Sequence, residues 1–252
     1  MSVRFVLPAA ERGYSFLPSV GPNASYVAGH PDGAITRHSS FNFGEYQSGI
    51  PGFGAMRVFG DEVFMPNGTG YNMHPHHNFI IMAFVLSGTL THINTIGRID
   101  ELGRDDYYVF SAGSGGKHSE LNIGEGDLGV IYVWVLPGRL LAPPSYRRAR
   151  FDRSAGANRI TCLVGDEPGA LPIAQTFRVS RLVSDAERRY AYRPARPNGL
   201  YAFVVEGEVE IADALLTRRD SMAVEGEDEV TIDVRTGGTD VLLVETKLST
   251  RA

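Results

Sequence analysis

The apolar residues of this chain come in short runs, rich in β-branched and aromatic side chains and separated by glycine or asparagine turns, and nowhere do they hold the 3.6-residue period of a long helix. A chain patterned this way buries its apolar surface by stacking or closing sheets, so an all-β sandwich or barrel is expected. Strands are predicted from Phe79 to Leu86, Leu90 to Thr95, Asp106 to Ala112 and Leu128 to Leu136 in the first half. The second half offers Arg178 to Val183, Leu200 to Val205, Glu208 to Ala212, Asp220 to Val224, Val230 to Val234 and Asp240 to Thr246.

The runs also repeat. Phe84-Val-Leu-Ser-Gly88, followed by Thr89-Leu-Thr-His92, is echoed by Phe203-Val-Val-Glu-Gly207, followed by Glu208-Val-Glu-Ile211. In each copy a second strand follows (Tyr107 to Phe110, Met222 to Val224) and then a final apolar one (Gly129 to Val135, Val241 to Val244). A length of 252 residues accommodates two cores. The expected division is therefore a first barrel over residues 1–142 and a linker with a second barrel over 143–252, joined through Pro143-Pro144 and an arginine-rich stretch.

The two copies differ in their chemistry. All seven histidines, at positions 30, 38, 74, 76, 77, 92 and 118, precede residue 119, and where the first copy has His92 the second has Ile211. A histidine-based metal site is expected only in the N-terminal barrel. Within it, His74-Pro-His76-His77 stands before the strand that begins at Phe79. Side chains two apart on an extended chain share a face, so His74 and His76 can reach one point while His77 faces away. Pro75 fits a strand edge or entrance because it donates nothing to a ladder. His118 and Glu120 form a second pair at the same spacing. Either motif alone is matched by a solvated loop. Together, on neighbouring strands, they would set three imidazoles and one carboxylate around a single divalent transition metal ion. Imidazole suits iron, copper, nickel, zinc and manganese, and six-coordinate geometry would leave two positions for substrate or dioxygen. His77 and His92 could orient the ligands by hydrogen bonding.

Other features point away from alternative chemistries. A net charge of −5 gives no general electrostatic footprint for nucleic acid or an anionic membrane, which favours a small-molecule or protein partner. No apolar run reaches transmembrane length, and the N-terminal apolar stretch is too short for a signal peptide, so a soluble cytoplasmic protein is expected. Cys162 is the only cysteine, which excludes an internal disulfide, and it reads as a small buried side chain. Arg147, Arg148, Arg150 and Arg153 read as a solvated or salt-bridged linker, Gly113 to Gly116 as a tight turn leading to His118, and Trp134 as core.

The pairing of His74-Pro-His76 with a later Gly115-Gly-Lys-His118 and Asn122 resembles the two cupin motifs, and the longer text HPHHNFIIMAFVLSGTLTH with SAGSGGKHSELN resembles the pirin family in particular. The resemblance is densest from about Phe59 to Asp152 and continues more weakly through the second half. It implies two tandem cupin-type β-barrels, with the ligand positions falling on His74, His76, His118 and Glu120, and iron as the first candidate ion ahead of nickel, copper, cobalt, manganese or zinc. It also implies a quercetin 2,3-dioxygenase activity, in which a flavonol-like substrate meets dioxygen and Glu120 doubles as the catalytic base. The alternatives are a metal-dependent regulatory or protein-interaction module without turnover, and another metal-dependent isomerase or hydrolase. Four positions depart from the family pattern: Ile80 for an acidic residue, Ala83 and Phe84 for a Thr-Tyr pair, and Ser87 for glutamate. They lead to the expectation that the pocket's polarity is altered.

Overall fold

The computed structural model describes residues 2–44, 46–195 and 197–248. They form two all-β units, each a pair of facing sheets around its own core, as expected for tandem cupin-type barrels. The one α-helix among the described residues is the single turn Arg153–Gly156, whose N-terminal amides at Ser154 and Ala155 donate to the Asp152 carboxylate. No helix among the described residues is long and apolar enough to cross a membrane.

In the first unit, one sheet has seven strands in the order Ser145–Arg150, Asp106–Ser111, Ile80–Ser87, Leu128–Val135, Met56–Phe64, Ala34–Ser39, Gly13–Pro18. The other has five: Val27–Ala28, Thr69–His76, Gly116–Asn122, Thr89–Asn94, Arg98–Gly103. Alternation along Ile80–Ser87 sends Ile81, Ala83 and Val85 inward, where they meet Leu90 and Leu102 from the smaller sheet and Tyr108, Phe110, Val130 and Tyr132 from their neighbours. In the second unit, a six-stranded sheet (Ser2–Leu7, Ser221–Glu225, Asn198–Glu206, Thr239–Lys247, Phe177–Ser184, Arg159–Val164) faces a four-stranded one (Arg188–Tyr192, Val230–Val234, Val209–Ile211, Ala214–Leu216).

The sequence repeat is a repeat of pairing. Ile80–Ser87 lies between Asp106–Ser111 and Leu128–Val135, and Asn198–Glu206 lies in the same way between Ser221–Glu225 and Thr239–Lys247. Gly88 and Gly207 end the equivalent strands at φ of 75° and 85°, a conformation that L-residues with side chains seldom adopt. A Cβ on Gly88 would also stand 2.7 Å from the Asp127 carbonyl oxygen.

Two boundaries differ from the expected division. The first unit comprises Gly13–Gly52 and Met56–Phe151, whereas the second gathers Met1–Arg12, Phe53–Ala55 and Asp152–Ala252. Ser2–Leu7 belongs with the second because it pairs antiparallel with Ser221–Glu225, a partnership between segments distant in sequence that no local pattern announces. The arginine-rich stretch is not a linker. Ser145–Arg150 pairs along its length with Asp106–Ser111 as an edge strand, and its polar faces suit that position. The salt-bridged half of that reading holds, since Arg148 Nε lies 3.0 Å from Asp100.

Candidate metal centre

The histidines are placed by two adjacent strands of the five-stranded sheet. Thr69–His76 pairs antiparallel with Gly116–Asn122, setting His118 opposite His74 and Gly116 opposite His76. Alternation then brings His74 and His76 to one side, and the exposed His77 lies beyond the strand's end. The three imidazole centroids are 4.8 Å (His74–His76), 4.5 Å (His74–His118) and 4.9 Å (His76–His118) apart. One ligand nitrogen from each falls within 4.8 Å of the other two.

Their hydrogen bonding leaves nitrogens for an ion. His74 Nδ1 is 2.7 Å from the Asn72 carbonyl oxygen, which fixes the proton on Nδ1 and the lone pair on Nε2. The Nε2 atoms of His76 and His118 are buried with no hydrogen-bond partner. A buried polar atom left unpaired costs on the order of 1–3 kcal/mol, so two orphaned nitrogens side by side call for a shared partner, and a cation with imidazole affinity fits. Burial lowers the pKa of all three rings, that of His76 to about 4, so each is a neutral ligand near pH 7.

Glu120 does not follow His118 into the cluster. The register slips between them, and Glu120 faces Tyr71 where unbroken pairing would give Asn72. On the other edge of its strand Glu120 is opposite His92. Its carboxyl accepts a short hydrogen bond from the Tyr108 hydroxyl and has Oε1 3.7 Å from His118 Nδ1. Full burial, against the opposing Tyr108 bond, pushes its pKa up to about 8. A second grouping of ligand types, His92, His118 and Glu120, is buried and shares His118. The atoms that face one another in it are satisfied internally, His92 Nε2 lying 3.2 Å from His118 Nδ1 and Glu120 bonded to Tyr108, while the buried His92 Nδ1 without a partner is on the other side of a ring that stacks on Tyr146 at 4.9 Å. The three imidazoles His74, His76 and His118 are thus the better fit to an ion, with Glu120 within reach of His118's far side.

A cavity of about 950 Å³ opens beside His74 and Glu120. Trp134, read from sequence as core, lines it, with Phe43 edge-on at 5.4 Å. Among the wall residues that escaped the sequence reading are Arg37, Glu62 and Tyr71. By contrast, Ile80, Ala83, Phe84 and Ser87 are not in the wall. Ala83 is core, Ile80 and Phe84 are buried, and Ser87 is an exposed strand end whose hydroxyl accepts from the Gly129 amide. Those four departures leave the lining of this cavity untouched.

The supporting residues explain the rest of the motif text. Asn122 donates to the carbonyls of Phe64, Met65 and Gly126 at 2.9, 3.1 and 2.8 Å, tying together the segments behind the site. Gly113 (φ 50°) and Gly115 (φ 141°) form the turn that starts the His118 strand; a Cβ on Gly113 would lie 1.9 Å from the Ala142 carbonyl oxygen. Cys162 is half-buried rather than buried, its thiol contacts the Val164 carbonyl, and burial pushes its pKa up to about 11.

Comparison with known proteins identifies the family. Residues 25–135 match the family model described as Pirin, and residues 165–246 match one described as a quercetinase C-terminal cupin domain. The chain is 30% identical over 203 residues to a putative quercetin 2,3-dioxygenase of Pasteurella multocida, spanning 78% of this chain and 85% of that protein. It is 27% identical over 207 residues to a quercetin 2,3-dioxygenase of Escherichia coli strain K12, spanning 81% and 89%. The fold superposes on a crystal structure of a bacterial pirin from Escherichia coli in complex with nickel(II), with a TM-score of 0.83 at 24% identity, covering 97% of this chain and 99% of that one. With an N-terminal pirin domain, a C-terminal cupin partner and a full-length relative at this identity, the chain belongs to the pirin family of cupins.

Proposed function

We propose that this protein is a metal-dependent dioxygenase that cleaves flavonols such as quercetin with dioxygen, using one divalent ion held by His74, His76 and His118, with Glu120 joining as the fourth ligand when its carboxyl turns from Tyr108 and the far side of His118. The observation that carries the reading is the pair of orphaned Nε2 atoms on His76 and His118, set beside an aromatic-walled cavity that also contains a carboxyl group. Iron is the first candidate ion, and nickel, found in the similar bacterial pirin, the second; copper, cobalt, manganese and zinc also suit the donor set.

A bound divalent ion would supply Lewis acidity beside the flavonol's enolic hydroxyl. This chain's residues do the rest. The cavity is large enough for a three-ring substrate, and Trp134 and Phe43 give it aromatic walls. Glu120, fully buried and hydrogen-bonded by Tyr108, is placed to take the hydroxyl proton, and its raised pKa matches a group that exchanges a proton near neutrality. The enclosing strands exclude bulk water from His118, which is 1% exposed, while His74 and His76 are half-buried.

The test is oxygen uptake with quercetin by protein loaded in turn with iron, nickel, copper, cobalt and manganese. Stoichiometric uptake with at least one ion is expected. Full metallation with no uptake on any flavonol overturns the enzymatic reading and leaves the metal-dependent regulatory module in its place.

A further inference from the structure

Three strands of the larger sheet and its neighbour bring Arg37, Glu62 and Tyr71 together in the cavity wall. Arg37 Nε donates to Glu62 Oε1 at 2.8 Å, Arg37 Nη2 donates to the Tyr71 hydroxyl, and that hydroxyl donates to Glu62 Oε2 at 2.7 Å. The three side chains form a closed ring of hydrogen bonds in which both carboxylate oxygens are used. The Arg37 and Glu62 side chains are only 12% and 3% exposed. The guanidinium also lies over the Phe43 ring, 4.3 Å from its centroid. Arg37 Nη1 has no hydrogen-bond partner among the described residues.

A fork this firmly held is more than a wall. The ring is neutral as a whole, because Glu62 compensates the guanidinium, yet Nη1 keeps an unused donor. Such a site offers a strong hydrogen bond to a neutral acceptor oxygen. An incoming carboxylate would find no uncompensated cation, and would add a negative charge beside Glu62 and near Glu120. Phe43 and Trp134, packed edge to face in the wall, add aromatic surface that favours an aromatic ligand.

We propose that Arg37 is a specificity-determining residue: pinned by Glu62 and Tyr71 and stacked on Phe43, it presents Nη1 to a hydroxyl or carbonyl oxygen of a planar aromatic compound and discriminates against one carrying a carboxylate. The inference rests on the proposed function only in taking this cavity as the place where the substrate binds.

Calorimetric titration of the full chain, as purified, with 2-naphthol and 2-naphthoate tests it. Wild-type protein is expected to bind 2-naphthol about tenfold or more tightly than 2-naphthoate. Arg37→Lys, which keeps the charge but loses the fork, should weaken 2-naphthol about tenfold, the worth of one charge-assisted hydrogen bond. Glu62→Gln, which leaves the guanidinium uncompensated, should reverse the preference toward 2-naphthoate. Thermal denaturation identifies any variant that fails to fold, and a purely structural role for Arg37 would leave the ratio of the two affinities unchanged. Equal affinities in the wild type, or an unchanged ratio in both variants, overturn the proposal. Naphthol binding that depends on Arg37 in a protein that consumes no oxygen with flavonols supports it and removes the dioxygenase reading. Quercetin turnover whose KM is the same in Arg37→Lys as in the wild type does the reverse.

Discussion

The indole of Trp134 stands edge-on to the imidazole of His76, ring centroids 4.8 Å apart and planes at 83°. Trp134 is the only tryptophan in the chain, so the protein's entire indole emission comes from a ring in contact with a proposed ligand. Titration with copper(II) or nickel(II) should quench that emission and saturate near one ion per chain. His76→Ala or His118→Ala should abolish the stoichiometric endpoint, whereas His77→Ala, whose side chain is exposed, should keep it. Equal loss in all three variants would defeat the assignment of ligands by strand face.

Removing the Glu120 carboxylate separates its two roles. Three imidazoles suffice to hold an ion, so Glu120→Gln should retain most of the metal while oxygen uptake with quercetin falls by about 10² or more, the usual contribution of a positioned base. Metal content and uptake are measured on the same preparation. Parallel loss of both would mean that the carboxylate acts as a ligand alone.

In the metal-free protein Glu120 also sets a pH dependence. Its folded pKa of about 8 lies above the ordinary value of 4.5, so between the two the folded state holds a proton that the unfolded chain releases. Stability therefore falls as pH rises through this window, and the loss is complete above the folded value. The imidazoles act in the opposite sense: with His76 lowered to about 4 and His92 to about 3 by burial, stability is lost as pH falls below the ordinary 6.5. Above about pH 7.5, where the unfolded imidazoles have released their protons, the carboxyl dominates until it too has ionised in the fold. Urea midpoints of wild-type protein should drop across that range and those of Glu120→Gln should stay level; identical slopes would show that Glu120 ionises freely in the fold.

A stability test that leaves the metal centre alone lies in the C-terminal unit. Asp240 accepts from Arg181 Nε and Nη2 at 2.8 and 2.7 Å and from Arg153 Nη2 at 2.7 Å. Burial alone would raise the Asp240 pKa, and the two arginines overrule it and lower it. Asp240→Asn should cost about 3–5 kcal/mol, because it withdraws the carboxylate facing a guanidinium that is 2% exposed. Denaturation should register the loss with metal stoichiometry unchanged. A shift of less than about 1 kcal/mol would mean that the pair contributes no more than a surface one.

The histidine cluster was legible in the sequence because strand alternation is a local rule: two residues apart means the same face, whatever the rest of the chain does. The barrels were legible for a related reason, since Phe84 to Gly88 and Phe203 to Gly207 carry the same strand and turn chemistry. The Arg37–Glu62–Tyr71 ring was not, because its members lie 25 and 9 residues apart along the chain and meet only through register between strands. The strand that carries Glu62 was itself hidden, as Gly60-Asp-Glu62 interrupts the apolar run of Met56–Phe64 although Glu62 ends up 3% exposed. The slip that sets Glu120 against Tyr71 is likewise a property of two strands together. Ser145–Arg150 was misread because an edge strand with solvated arginines has the composition of a linker.

The pairing of Ser2–Leu7 with Ser221–Glu225 joins residues whose backbones meet across 214 positions of sequence. On a ribosome Ser2–Leu7 emerges long before Ser221–Glu225 is made, so this barrel closes only on a strand that has waited for its partner. A fragment cut to begin at residue 152 would expose the hydrogen-bonding edge of Ser221–Glu225, an invitation to aggregate. Any attempt to express the barrels separately therefore has to graft the leading strand onto the trailing half.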